Sequence, residues 1–303
     1  MSLRTPSTLT SEQSLLDLQR TKERISLLQD QISSGKRIVR LSSDPSGAAL
    51  ILDFQTSIDR NTQYMKQGDS AGSFLSTSET ILTGLSSDLI RLGELGTQAL
   101  VGSIGASGRA ALAQEVDGIR SAMLTASNTQ DQGKYIFAGT ATLTQPFSGP
   151  AAGPITYAGN GGSINLEVSS SFTVATNLAG NAVFFGPGGQ GSATDMFQAV
   201  TDLRDGLIAN NTPQIQTAYT NLLAIHDRVL QNIADLGGRQ SSIDAMKSDL
   251  GDINLNLERV LDSTQGLDYP TAITNFSNEQ TIQQASLSTL AKVNRQNLFD
   301  FLA

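Results

Sequence analysis

Residues 243–267 read IDAMKSDLGDINLNLERVLDSTQGL, and this stretch decides the fold class. Its core positions recur at alternating steps of three and four residues: Ile243, Met246, Leu250, Ile253, Leu257, Val260, Thr264 and Leu267. This spacing is a heptad repeat, which is typical of helices that pack along one another. We therefore predict one long helix whose core seam consists of the first six of these residues, and that seam needs a second helix to cover it.

The helix predicted to cover the seam begins at Asp44-Pro45 and ends near Leu100. Asp44 can accept hydrogen bonds from the exposed N–H groups of the first turn, and Pro45 suits the first helical position because it has no N–H to leave unpaired. This helix must run antiparallel to the seam helix if the middle of the chain lies at the far end. Shorter helices are expected over about 107–132 and 193–209.

The middle of the chain has a different composition. Between Gly139 and Ser192 the only charged residue is Glu167, and Gly, Ser, Thr and Pro are abundant. Short β-type runs lie between the glycines, at 155–157, 164–168, 172–174 and 182–185. We expect a small antiparallel β insert within a helical protein.

The two ends of the chain carry apolar stripes that the rest of the sequence cannot cover. The first helix is expected from about Ser11 to Ser34, and the last begins after Tyr269-Pro270. One such helix pair is marginal on its own, so we expect other copies of the chain to complete it. The residues predicted to mediate this self-association are Leu18, Ile25, Leu28, Ile32, Ile282, Leu287, Leu290 and Leu298.

The predicted fold class is therefore mainly α, with a long antiparallel helical bundle and a small β insert. Three layers are expected. Residues 1–42 and 268–303 form a terminal coiled coil, residues 43–138 and 193–267 form the core of the bundle, and residues 139–192 form an exposed β domain. The first two layers each combine segments from both ends of the chain.

Composition excludes several classes of chemistry. The 303-residue sequence has no Cys, no Trp and one His, and its net charge is −8. Disulfides, thiolate nucleophiles and metal sites built from several Cys or His residues are therefore excluded within one chain. An acidic chain is also a poor candidate for binding nucleic acid, and no apolar run approaches the roughly 20 residues that span a bilayer.

No motif in the sequence makes a convincing catalytic or cofactor site. The segment Gly186–Gly191 fits G-x-G-x-x-G, but a second helix follows where a dinucleotide fold needs a parallel strand ending in an acidic residue. His226 and Asp227 are adjacent on a helix and point in different directions. Asp249 and Asp252 are most simply a solvated edge. We therefore predict no enzyme activity and no catalytic, cofactor or metal residues.

Five segments of the helical arms resemble the flagellin family. They are Gln31–Ile38 (QISSGKRI), Ser42–Ala49 (SSDPSGAA), Leu75–Leu82 (LSTSETIL), Leu89–Leu95 (LIRLGEL) and Gly237–Gln240 (GGRQ). The resemblance covers about residues 1–140 and 195–303, and the middle is unmatched. It implies a structural subunit of the bacterial flagellum that leaves the cell through the flagellar type III export channel, without a cleaved signal.

Within the family, Gly133–Thr140 (GKYIFAGT) followed by Gln145-Pro146-Phe147 resembles the branch that lies at the junction of hook and filament. This resemblance implies an extracellular ring of copies between hook-associated protein 1 and flagellin, and a cytoplasmic export chaperone as a further partner. Two alternatives remain. The chain could be a flagellin that forms the filament itself, or a secreted glycan-binding or hydrolytic protein, although Glu167 lacks the second group that acid–base catalysis needs.

Overall fold

The computed structural model describes residues 5–40, 42–150 and 153–302, with side chains for residues 12–40, 42–150 and 153–292. The helices are α1 Thr5–Ser34, α2 Pro45–Leu100, α3 Ala106–Ser127, α4 Met196–Ile208, α5 Thr212–Gln265 and α6 Tyr269–Leu302. The strands are β1 Gln130–Asp131, β2 Lys134–Tyr135, β3 Phe147–Ser148, β4 Thr156–Tyr157, β5 Asn165–Ser169 and β6 Phe172–Ala175. The predicted fold class, mainly helical with small antiparallel sheets in the middle, is confirmed.

The chain divides into two compact units, one built from both ends of the chain and one from its middle. The terminal unit combines residues 1–60 with residues 252–303, and the central unit comprises residues 61–251. The finer division into three layers stays a prediction.

In the terminal unit, α1 packs against α6. The two helices run antiparallel, because Arg24 pairs with Glu279 (Nε to Oε1, 2.8 Å) while the end of α1 lies beside the start of α6. The buried and half-buried positions of α1 again recur at steps of three and four: Ser14, Leu18, Thr21, Ile25, Leu28 and Ile32. The terminal helices thus form a pair within one chain.

The end of α1 is fixed to the segment between α5 and α6. Gly35 has φ +69°, a left-handed conformation that commonly ends a helix. Its carbonyl accepts the N–H of Leu267 (3.1 Å), and the N–H of Arg37 donates to the carbonyl of Gln265 (2.7 Å). Two chain segments more than 200 residues apart are therefore joined by main-chain hydrogen bonds.

In the central unit, α2 and α5 lie side by side and antiparallel, as the sequence predicts. Lys247 pairs with Asp69 (2.5 Å) at one level, and His226 bonds to Ser86 (2.9 Å) farther along. The core around them is apolar and closed: Leu82, Leu92, Leu95, Val116, Met123, Leu203, Ile215 and Val229 are all fully buried.

The third helix is shorter than predicted. α3 ends at Ser127, because the side chain of Asn128 bonds to the carbonyl of Leu124 and to both main-chain groups of Phe147. The expected helical residues up to 132 instead enter a hairpin formed by β1 and β2. The hydrogen bonds between Asn128 and Phe147 thus end the helix before the point that the apolar pattern predicts.

In the described part of the middle of the chain, the strands pair as three two-stranded hairpins, β1–β2, β3–β4 and β5–β6, of which the first precedes the predicted insert. The prediction of a β-strand at 182–185 is wrong, because Asn181–Phe185 forms a π-helical turn. Val183, Phe184 and Phe185 are all buried, which a strand with alternating faces would not allow. Phe184 stacks on Phe197 of α4 with ring centroids 5.6 Å apart, so this turn joins the insert to the helices.

Candidate assembly surface

Five of the eight predicted self-association residues lie where α1 packs against α6 of the same chain. Leu18, Leu28 and Ile32 are half-buried there, and Ile25 is only 9% exposed. Leu290 of α6 is likewise half-buried. The stripe that we predicted for contact between copies is thus largely occupied by the intrachain helix pair.

The outer surface of the same pair is apolar as well. Ile282 is 47% exposed and Leu287 is 49% exposed. Leu298 lies outside the residues whose side chains are described. Three further exposed residues, Leu15, Leu16 and Ile273, were not among the predicted set. No periodic signal marks Leu15 and Leu16, because they lie beside the heptad stripe and not on it.

The heptad seam of α5 is buried only in its first half. Ile243 is fully buried, Leu250 is 5% exposed and Met246 is half-buried. Farther along, Leu257 is half-buried, but Ile253 and Val260 are exposed by 47% and 45%. The single chain therefore leaves part of the seam open.

Charges in the terminal unit are paired across its turns. Arg40 pairs with Asp30 (3.0 Å) and Arg37 with Asp44 (3.5 Å). The N–H of Gly47 donates to Asp44, which lowers the pKa of that carboxyl, with smaller contributions from Ser46 and Arg37. Asp44 is therefore the helix cap that the sequence predicts for the start of α2.

The glycine-rich segment has none of the geometry of a nucleotide site. A π-helical turn precedes it instead of a strand, and the side chain of Asp195 already accepts the first free N–H groups of α4, from Phe197 and Gln198. The N–H of Gly191 also bonds to Asp195 (2.8 Å). A carboxylate therefore occupies the place where a phosphate would bind.

Three arginines attach the insert to the helices. Arg120 of α3 donates to the carbonyl of Gly153 (2.5 Å), and Arg228 of α5 donates to the carbonyls of Val183 (3.2 Å) and Thr194 (2.8 Å). Arg239 of α5 donates to the carbonyl of Ala175 (2.8 Å) at the end of β6. Hydrogen bonds from charged groups contribute roughly 1.5–3 kcal/mol each. The nearly uncharged insert is thus held through its main chain.

Within the described part of the chain, no group of three Asp, Glu or His residues could hold a metal ion. Among the described helices, none combines the length and apolar character needed to cross a bilayer.

Comparison with known proteins matches both ends of the chain to one family. Residues 7–142 match the bacterial flagellin N-terminal helical region, and residues 224–302 match the bacterial flagellin C-terminal helical region. Flagellar hook-associated protein 3 of Escherichia coli (strain K12) is 26% identical over 289 residues, covering 89% of this chain and 90% of that protein.

Solved structures share the fold. A structure described as a putative flagellar hook-associated protein from Vibrio parahaemolyticus has a TM-score of 0.68 at 21% identity, over 74% of this chain and all of that chain. The flagellar junction protein FlgL from Legionella pneumophila has a TM-score of 0.54 at 20% identity, over 73% of this chain and 99% of the other.

Proposed function

Because this chain belongs to the flagellin family, we propose that it is the hook–filament junction subunit of a bacterial flagellum, the counterpart of hook-associated protein 3. The observation that carries this proposal is the similarity to the E. coli protein of that name along nine-tenths of both chains. The protein is an exported part of the extracellular flagellum. Its role is structural, and its relatives are structural flagellar proteins.

We propose that copies of the chain associate through the outer surface of the α1–α6 pair. Ile273 and Leu287 are about half exposed on one flank of α6, Ile282 is about half exposed on the opposite flank, and Leu15 and Leu16 are exposed on α1. Burial of such surface between identical subunits is the main favourable contribution to association. The open part of the α5 seam, at Ile253 and Val260, is a second surface that a neighbouring copy would cover.

The proposed neighbours follow from the place of the subunit. A ring of copies would contact hook-associated protein 1 on the hook side and flagellin on the filament side. In the cytoplasm, an export chaperone would bind the C-terminal helical region before export. The half-exposed apolar residues of the described helices support contact with such neighbours, since burial of apolar surface favours association.

Deletion of the gene tests the proposal. A strain without the junction subunit should make hooks that carry no filament and should release unattached flagellin into the medium, which electron microscopy and immunoblotting would detect. A plasmid copy should restore filaments. Hooks that still bear filaments would contradict the proposal. If the deletion instead leaves the junction intact and removes filament mass, the chain is a filament flagellin.

A further inference from the structure

A polar cluster in the insert is centred on Asn160, a residue with no part in the proposed assembly. Its Oδ1 accepts the N–H of Thr140 (2.9 Å) and the N–H of Gly162 (3.0 Å). The hydroxyl of Thr140 lies 2.8 Å from Nδ2 and 3.0 Å from Oδ1. Two main-chain donors on one atom fix which end of the side-chain amide is the oxygen.

Two backbone segments, 138–140 and the loop at Asn160, lie close together around this cluster. The N–H of Asn160 donates to the carbonyl of Ala138 (3.1 Å). Gly139 has φ +68°, and a Cβ there would collide with the carbonyl oxygen and with Oδ1 of Asn160. Glycine at this position is what lets the Thr140 segment reach the Asn160 side chain.

Asn160 precedes Gly161, and this is the only Asn-Gly pair in the sequence. Gly161 is exposed, and it has no side chain to shield its amide nitrogen. The bond from the N–H of Gly162 to Oδ1 closes a turn of the Asx type, which holds the side-chain carbonyl over the Asn160–Gly161 peptide. A nucleophilic nitrogen and an amide carbonyl are therefore adjacent in the folded chain.

We propose that Asn160–Gly161 is a self-modifying site, at which the folded insert promotes cyclisation of the Asn160 side chain onto the Gly161 nitrogen. A bond forms between that nitrogen and Cγ, and the bond between Cγ and Nδ2 breaks. Nδ2 leaves as ammonia with the proton that Gly161 loses. One water molecule then opens the succinimide ring, giving aspartate or isoaspartate at position 160. No atom is oxidised or reduced.

The cluster stabilises each charge that develops in this reaction. The N–H groups of Thr140 and Gly162 point at Oδ1, which becomes an oxyanion when Cγ is attacked. The Thr140 hydroxyl accepts a hydrogen bond from Nδ2 and donates its own proton to Oδ1 (3.0 Å), so it is a third donor to the developing oxyanion. The Tyr157 hydroxyl shares its single proton between the carbonyl oxygens of Asn160 and Phe137, each 2.9 Å away, and its bond to Asn160 polarises the peptide and makes the Gly161 N–H more acidic.

The modification changes the insert in a defined way. It adds a negative charge to a segment in which Glu167 is the only charged residue. It also removes the amide group that donates to Thr140, and isoaspartate lengthens the backbone by one carbon. The contact between the Thr140 segment and the Asn160 loop weakens as a result.

The decisive measurement compares folded and unfolded protein. The full chain is incubated in buffer or in guanidinium chloride, and aspartate and isoaspartate at position 160 are quantified by peptide mass spectrometry. We expect faster modification in the folded chain. A folded rate equal to or below the unfolded rate overturns the proposal, because the hydrogen bonds would then be neutral or protective. Asn128, which is also hydrogen-bonded but precedes Thr129, serves as the internal control and should stay unmodified.

Two substitutions test the roles of the neighbours. Thr140→Val should slow the folded-state reaction about tenfold, since loss of one hydrogen bond corresponds to roughly 1.4 kcal/mol, and should not change the unfolded-state rate. Tyr157→Phe is the second variant, with the same expected pattern, and it decides the matter if Thr140→Val does not fold. Folded-state rates that neither variant lowers overturn the proposal. Gly161→Ala is the control that should nearly stop the reaction in both states.

Discussion

Asp195 shows how much a single side chain fixes at the boundary between insert and helices. It is 3% exposed, it caps α4, and it also holds the N–H of Gly191. The sequence predicted a helix from about residue 193, two residues before this cap. The glycine motif could be dismissed from its downstream pattern, but the carboxylate that fills the helix terminus could not be predicted, because its role depends on a loop that folds back onto the helix.

Burial gives Asp195 a measurable pH effect. Desolvation raises the pKa of its carboxyl above the ordinary value of 3.8, although the N–H groups of Gly191, Gln198 and Phe197 act in the opposite direction. The folded chain therefore holds this proton more tightly than the unfolded chain. Stability from this group is greatest below 3.8 and falls as the pH rises through the raised pKa.

The variant Asp195→Asn removes this titration and keeps a good helix cap. We expect the free energy of unfolding of the variant, relative to the unmodified chain, to increase as the pH rises from acidic to neutral. Guanidinium unfolding of both proteins at a series of pH values measures this difference in the free energy of unfolding. Asp249→Asn, which removes an exposed carboxyl on α5, is the matched control for the loss of one charge. A relative stability that is constant or falls with pH would contradict the assignment.

At the scale of elements, local signals placed the long helices and three of the four predicted β runs of the insert, and failed at 182–185. The start at Asp44-Pro45 and the end at Gly35 follow from capping chemistry within a few residues, and the structure agrees with them. The π-helical turn of Asn181–Phe185 depends on aromatic partners elsewhere in the chain, above all Phe147 and Phe197, which no local pattern reveals.

A heptad stripe likewise predicts that a surface is buried, but not what buries it. The stripe of α1 lies against α6 of the same chain. On α5, the buried residue beyond Gly251 is Asn254, at 8% exposure, while the apolar neighbour Ile253 is exposed. Periodicity alone could not separate these residues, since a step of three from Leu250 reaches Ile253 and a step of four reaches Asn254.

The outer surface of α6 gives a prediction about assembly. Leu287→Asp should leave the chain folded, with a stability change within about 0.5 kcal/mol, because the side chain is half exposed. The variant should nevertheless fail to enter flagella, since a charge would be buried between copies. Circular dichroism measures the folding, and immunoblots of purified flagella measure the incorporation.

Ser288→Asp is the control for this variant, because it introduces the same charge at the next, polar and exposed position of α6. It should assemble normally. If Leu287→Asp also assembles at the normal level, the outer surface of α6 is not a contact between copies, and the α5 surface at Ile253 becomes the remaining candidate.

At the scale of the molecule, the two units differ in how much apolar surface they bury. The main hydrophobic cluster lies within residues 71–243, in the central unit. In the described part of the terminal unit, buried apolar residues are few: Ile25, Ile38, Ala48 and Ala272. Helices with so little buried surface should open more readily than those of the central unit.

Hydrogen exchange of the monomer tests this difference. Amides in residues 12–34 and 269–292 should exchange at least about tenfold faster than those in residues 75–99 and 215–236, since local opening free energies follow buried contacts. Mass spectrometry of pulse-labelled peptides resolves these segments. Equal protection in both units would show that the terminal helix pair is stable without other copies.

The arginine contacts of the insert have a consequence for how the protein can vary. Arg120, Arg228 and Arg239 all bind main-chain carbonyls, and a carbonyl is the same whatever residue carries it. The outward side chains of the insert can therefore be exchanged without loosening its attachment. The anchoring of the insert and the side chains on its outer surface can therefore change independently of each other.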